Sequence, residues 1–148
     1  MTDFKTRRKI MVDTQIRPSD VTKFPIIDAF LSIPREKFVP DGKREAAYIG
    51  DNFQIGQSRV ILDPRTLAKL LEALDVQKDE LVLDIGTGLG YSSAVISLIA
   101  EVVIAVEDDS SLASEAEEIL SEIGADNVVV QVAKLEDGAP QHGPYDVI

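Results

Sequence analysis

The sequence predicts an α/β protein, a doubly wound parallel sheet preceded by a helical extension. Three observations carry this. From Leu81 onward, short apolar runs alternate with segments of helical period, in the order strand, helix, strand, helix, strand. The first of those runs is joined to its helix by the glycine-rich stretch Gly86-Thr87-Gly88-Leu89-Gly90. From Met1 to about Gly56, by contrast, short helical patterns are separated by prolines, with no strand-helix alternation.

Taken in order, a first helix is expected near Asp3 to Asp13 and a second near Val21 to Ser32, broken afterwards by Pro34 and Pro40. Ala46 to Val60 reads as irregular chain with one short hairpin, its turns marked by Gly50-Asp51-Asn52 and Gly56. Asp63-Pro64 is a helix start, a carboxylate cap followed by proline, and Leu67, Leu70, Leu71 and Leu74 recur at helical spacing. Leu81 to Ile85 is a buried strand, Tyr91 to Ile99 a helix, and Val102 to Val106 a second strand. Ser110 or Ser111 is expected to cap an amphipathic helix whose Leu112, Ala116, Ile119, Leu120 and Ile123 form one face, ended by Gly124. Val128 to Val132 gives a third strand and Tyr145 to Ile148 begins a fourth, so the expected spatial order is third, second, first, fourth. Parallel strands joined by right-handed crossovers make this Rossmann-like. Because the sequence stops inside an apolar strand, the sheet is read as C-terminally truncated, and its uncovered edge is expected to self-associate. The expected division is an N-terminal helical extension and substrate-side segment over 1–60 and an incomplete Rossmann-like domain over 61–148.

Composition removes several function classes. Among 148 residues there is no cysteine and one histidine, which excludes disulfides, thiolate chemistry and any two-histidine zinc motif, so no metal site is expected. The single histidine, His142, sits in a turn and reads as an exposed loop residue. Residues 1–50 carry ten Lys/Arg and seven Asp/Glu, whereas residues 51–148 carry five and nineteen, within an overall charge of −11. So acidic a surface disfavours nucleic-acid or anionic-membrane partners. The basic run Lys5, Arg7, Arg8, Lys9 is read as a solvated helix face. No stretch has the length and apolarity of a membrane span or a signal, and a soluble, cytoplasmic protein is expected.

The glycines follow a GxGxG spacing and not the dinucleotide GxGxxG, which suits close approach of backbone to a ligand without a pyrophosphate. Glu107 ends the second strand, where a doubly wound fold places a carboxylate able to accept ribose hydroxyls. Asp108 and Asp109 follow, and three carboxylates would repel the additional phosphate of NADP. The combination points to an adenosine-type ligand.

Leu83-Asp84-Ile85-Gly86-Thr87-Gly88-Leu89-Gly90-Tyr91 with Val106-Glu107 resembles the S-adenosylmethionine site of class I methyltransferases. Met11-Val12-Asp13-Thr14-Gln15-Ile16-Arg17 and Ala29 to Pro40, with its Pro34-Arg35-Glu36-Lys37-Phe38-Val39-Pro40, resemble the protein-L-isoaspartate O-methyltransferase family, and the likeness extends over nearly the whole chain. The resemblance implies an S-adenosylmethionine cofactor held by Asp84, Gly86, Thr87, Gly88, Gly90 and Glu107, and methyl transfer to a carboxylate of damaged protein, with a protein or peptide as substrate. No catalytic residue is assigned, since an ionised carboxylate acceptor needs no general base. Two positions depart from the family pattern. Val60-Ile61-Leu62-Asp63-Pro64 stands where the family carries Thr-Ile-Ser-Gln-Pro, and Ala133-Lys134-Leu135 where it carries Gly-Asp-Gly. The alternatives kept open are a methyltransferase-like binding module without isoaspartyl transfer, and a structural domain with an empty site. Asp146, at the start of the fourth strand, is a candidate to orient the glycine turn or to cap a turn of its own.

Overall fold

The computed structural model describes residues 3–148. The chain divides into two compact units, Met1–Asp75 and Val76–Ile148.

The first unit opens with α1 (Phe4–Met11), which continues through a π turn over Val12–Ile16 and a 3-10 turn over Arg17–Ser19. The expected single helix is thus longer and changes pitch, with Pro18 lying in the 3-10 turn. Helix α2 (Phe24–Ser32) starts later than the apolar pattern suggested, because Pro25 fits only the first turn of a helix. The hairpin forms as expected, β1 (Phe53–Gly56) against β2 (Arg59–Ile61), with a register shift between Gln54 and Gly56. Helix α3 (Pro64–Leu74) begins at Asp63, whose side chain accepts the Thr66 N–H, and packs with the Val12–Ile16 turn and α2. Met11, Val12, Ile16, Phe30, Phe38 and Leu71, at most 1% exposed, form its core.

The second unit holds a parallel sheet of β3 (Leu81–Ile85), β4 (Val102–Glu107) and β5 (Val128–Val132), in the order β3-β4-β5. Val147 pairs in parallel with Val82 on the other side of β3, which gives the expected third, second, first, fourth order. The fourth element is a single bridge and not the expected strand over Tyr145–Ile148. The Asp146 N–H donates to the Leu81 carbonyl and the Leu83 N–H to the Val147 carbonyl, so contact is confined to the start of β3.

Alternation of side chains sends Leu83, Ile104 and Val106 to one face, where Ala139, Leu135 and Tyr145 cover them. Val82, Val103 and Ala105 take the other face, toward helices α4 (Tyr91–Ser97) and α5 (Ser110–Glu122), both in contact with β4. Helix α4 stops at Ser97 and not at Ile99, since the Leu98 and Ile99 N–H groups bond three residues back and tighten the last turn. The cap of α5 is Asp109, not Ser110 or Ser111: its carboxylate accepts from both the Ser111 and Leu112 N–H groups. Among the described residues no helix is long and apolar enough to cross a membrane.

Candidate functional site

The site is built where β3 and β4 end side by side. Gly86, Gly88 and Gly90 take φ of 80°, 61° and 93°, values that L side chains rarely adopt, so the GxGxG spacing is the backbone requirement of this one turn. Its donors are largely consumed within the unit. The Gly86 and Thr87 N–H groups both donate to the Val106 carbonyl, and the Gly90 N–H donates to that of Thr87. The turn therefore offers no row of free amides to an anion, in keeping with a ligand that carries no phosphate. Gly90 has a second reason to be glycine: a Cβ there would lie 3.1 Å from Leu120 Cδ1 and 3.5 Å from Ala116 Cβ, so α5 packs directly on the turn.

Glu107 is fully buried at the end of β4. Its Oε2 accepts the Gly88 N–H at 2.7 Å, and Oε1 accepts those of Asp108 and Asp109 at 3.0 and 3.1 Å. One carboxylate thus ties the glycine turn to the β4–α5 loop, and these charge-assisted bonds repay its desolvation.

Asp84 occupies the register opposite Ala105. Its Oδ2 accepts the hydroxyls of Ser92 and Ser93, each at 2.6 Å, and Ser93 Oγ also lies 2.9 Å from Thr87 Oγ1. The six residues singled out in the sequence therefore fall on one strand end, one turn and the adjacent strand end. Ser92 and Ser93 complete the cluster and were not among them; two serines in the first turn of the helix behind the glycine turn were the available signal. Asp146 does not reach the turn. Its Oδ2 accepts the Leu81 N–H at 2.8 Å, capping β3 at the opposite end from the glycines. His142 is exposed, with Nε2 3.0 Å from Gln131 Oε1, and Lys134 is exposed after β5.

In the first unit the basic run is not simply a solvated face. Arg8 is part-buried: it pairs with Glu36, donates from Nε to the Tyr48 hydroxyl, and reaches the Leu31 and Ser32 carbonyls. The Tyr48 hydroxyl in turn donates to Glu36 Oε2. Burial pushes that hydroxyl well above its ordinary value of 10.0, assisted by the Glu36 carboxylate against the opposing pull of Arg8. Arg35 is fully buried, donating to the Ala47 carbonyl at 2.8 Å and the Leu62 carbonyl at 3.0 Å. It thereby fixes the chain immediately before Asp63. Three charged residues, Arg35, Glu36 and Lys37, between the apolar Ile33 and Phe38 were the sequence signal for this anchor.

Comparison with known proteins agrees with this geometry. The family model for protein-L-isoaspartate(D-aspartate) O-methyltransferase matches residues 6–148. A protein-L-isoaspartate O-methyltransferase of Syntrophus aciditrophicus is 36% identical over 148 residues, covering 100% of this chain and 68% of its own length. That of Roseiflexus castenholzii is 36% identical over 146 residues, covering 99% and 66%. Among solved structures, a protein-L-isoaspartate O-methyltransferase superposes with a TM-score of 0.85 at 25% identity, over 95% of this chain and 46% of that one. A second, from Plasmodium falciparum in complex with S-adenosyl-L-homocysteine, gives 0.75 at 17% identity, over 99% and 72%, which bears on the fold. The chain thus spans about two thirds of the length of these curated relatives and less than half of the first solved chain.

Proposed function

The chain belongs to the protein-L-isoaspartate O-methyltransferase family, and from that premise we propose that the protein transfers a methyl group from S-adenosylmethionine to the carboxylate of isoaspartyl residues in damaged protein. The observation that carries the site assignment is the Glu107 carboxylate, fully buried and bonded to the Gly88 N–H at 2.7 Å. In this reading Gly86, Thr87, Gly88 and Gly90 form the surface against which the cofactor lies, Asp84 and Glu107 flank it, and Glu107 receives the ribose.

The residues fit such a ligand in two respects. Four of the turn's five amides, those of Gly86, Thr87, Gly88 and Gly90, are spent internally, which suits a cofactor without phosphate. Residues 76–148 carry fifteen Asp/Glu against two Lys/Arg, a field that favours a cation. When bound, S-adenosylmethionine supplies an activated methyl on a sulfonium centre. The acceptor carboxylate, with an ordinary pKa of about 4, is ionised at neutral pH, so no side chain need remove a proton. The chain's tasks are placement and exclusion of water. Residues 1–60 supply the substrate side and 61–148 the cofactor side, and the reading places this work in the cytoplasm.

Calorimetric titration with S-adenosylhomocysteine, with a methyl-transfer assay on matched isoaspartyl and aspartyl peptides, tests this. Binding is expected in the wild type, at least tenfold weaker in Gly88→Val and Glu107→Ala, with transfer confined to the isoaspartyl peptide. Unchanged affinity in both variants removes the site assignment, and absence of wild-type binding removes the cofactor.

A further inference from the structure

The second unit has an open sheet edge that the site above does not use. β5 is the outermost strand, and its ladder with β4 runs from Val103 opposite Val128 to Glu107 opposite Val132 without a shift. The Val103 N–H donates to the Asn127 carbonyl and the Ala133 N–H to that of Glu107. This fixes the alternation. The backbone groups of Val129 and Gln131 face β4, and those of Val130 and Val132 face outward.

Edges of this kind are ordinarily blunted by lysine, proline, a bulge or a covering segment. β5, Val-Val-Val-Gln-Val, has no lysine, proline or bulge. Val129 and Val132 are 45% and 57% exposed. Between the strand and α5 runs a groove of about 340 Å³, lined by Leu120, Val128 and Val130 and flanked by the exposed Glu117 and Asp126.

We propose that this edge and groove dock an extended basic peptide segment with apolar residues at its centre, which adds a strand beside β5. Backbone pairing with Val130 and Val132 would hold it; on the side facing α5, where every second residue points, a central apolar side chain would enter the groove and the basic ones two positions away would meet Glu117 and Asp126. Charge complementarity selects this occupant. The only Lys/Arg among residues 76–148 are Lys78 and Lys134, so the unit carries −13. A second copy of the chain would bring the same charge, and pairing two β5 edges would set acidic flank against acidic flank.

The test is amide exchange of the labelled protein by NMR with an end-blocked peptide of lysine and valine whose alternate, same-face positions run lysine, valine, lysine. Its fully N-methylated counterpart and a glutamate-for-lysine version serve as controls. Saturable, salt-sensitive binding is expected, with Val130 and Val132 gaining at least tenfold protection while Val129 and Gln131, already bonded to β4, do not. N-methylation should weaken binding tenfold or more, the glutamate peptide should not bind, and Glu117→Lys should lower affinity several-fold. Equal binding of the N-methylated peptide would reduce the effect to general attraction toward an acidic surface and overturn the proposal. Absence of saturable binding overturns it too, as does a dimer that protects Val130 and Val132 without peptide. None of these readouts depends on S-adenosylmethionine, so the proposed activity and this surface stand or fall separately.

Discussion

The two units solve the same backbone problem with opposite charges. In the first, irregular segments and helix C-terminal turns leave carbonyls without partners, and cations fill them. Arg35 serves Ala47 and Leu62, Arg8 serves Leu31 and Ser32, Lys23 serves Glu72, and Lys69 serves Ser19. In the second, the orphans are N–H groups at the starts of strands and helices and in the glycine turn, and carboxylates take them. Glu107 holds Gly88, Asp108 and Asp109, Asp109 caps α5, Asp146 caps β3, and Glu80 receives the Gln77 N–H. The charge asymmetry of the sequence therefore reflects architecture as well as surface. Segments and helix ends with unpaired carbonyls call for charged donors, and amide-rich junctions call for acceptors.

The largest expected effect breaks the first half of that contrast. Arg35→Met keeps much of the side chain's bulk but leaves two carbonyls without their charged donor, at roughly 3 to 5 kcal/mol. Urea unfolding measures it, and a loss below about 1 kcal/mol would show that these loops do not depend on the guanidinium. Next comes its counterpart, Glu107→Gln. The amide turns its NH2 either toward the Gly88 N–H or toward those of Asp108 and Asp109, donor against donor, at roughly 2 to 3 kcal/mol. Here stability and S-adenosylhomocysteine affinity should fall together. A stable variant with weakened binding would confine Glu107 to the ligand, and a destabilised one with intact binding would confine it to the fold. Smaller again is Tyr48→Phe, which removes one donor from Glu36 and one acceptor from Arg8, at about 1 kcal/mol by the same unfolding experiment.

The same contrast explains what could be read from the sequence. In the second unit each element is set by local pattern: apolar runs for β3 to β5, helical period for α5, and alternate glycines for a turn whose φ values only glycine adopts freely. The strand order and the placing of Gly86, Gly88, Gly90 and Glu107 beside one another followed from those patterns, and Asp84 and Thr87 joined them through the family resemblance. What escaped was whichever competing acceptor won, as where Asp109 displaced the two serines as cap because a carboxylate reaches two N–H groups at once. In the first unit the organising bonds join residues far apart in sequence, such as Arg8 to Tyr48 and Arg35 to Leu62. No local period announces those partners, so the basic run read as solvent-facing while Arg8 turned inward.

Asp63 supplies the smallest and most finely resolved test, because it brings the second unit's device into the first: an acidic N-cap at the start of α3. Burial acts to raise its pKa, but the Thr66 hydroxyl and N–H both donate to it and the Arg35 charge favours its ionised form, so the balance lies below the ordinary 3.8. The sign follows from linkage. In the unfolded chain this carboxyl takes up its proton first, so the stabilisation is fully present above about pH 4. It is lost as pH falls through the lowered folded value. An asparagine side chain caps a helix almost as well, so Asp63→Asn should cost a few tenths of a kcal/mol at pH 7. Its unfolding midpoint, measured against wild type from pH 7 to pH 2, should converge on the wild-type value below pH 4. Parallel curves down to pH 2 would mean that the cap acts as a dipole whose charge is irrelevant, and that Arg35 holds the Leu62 carbonyl without influencing the carboxylate beside it.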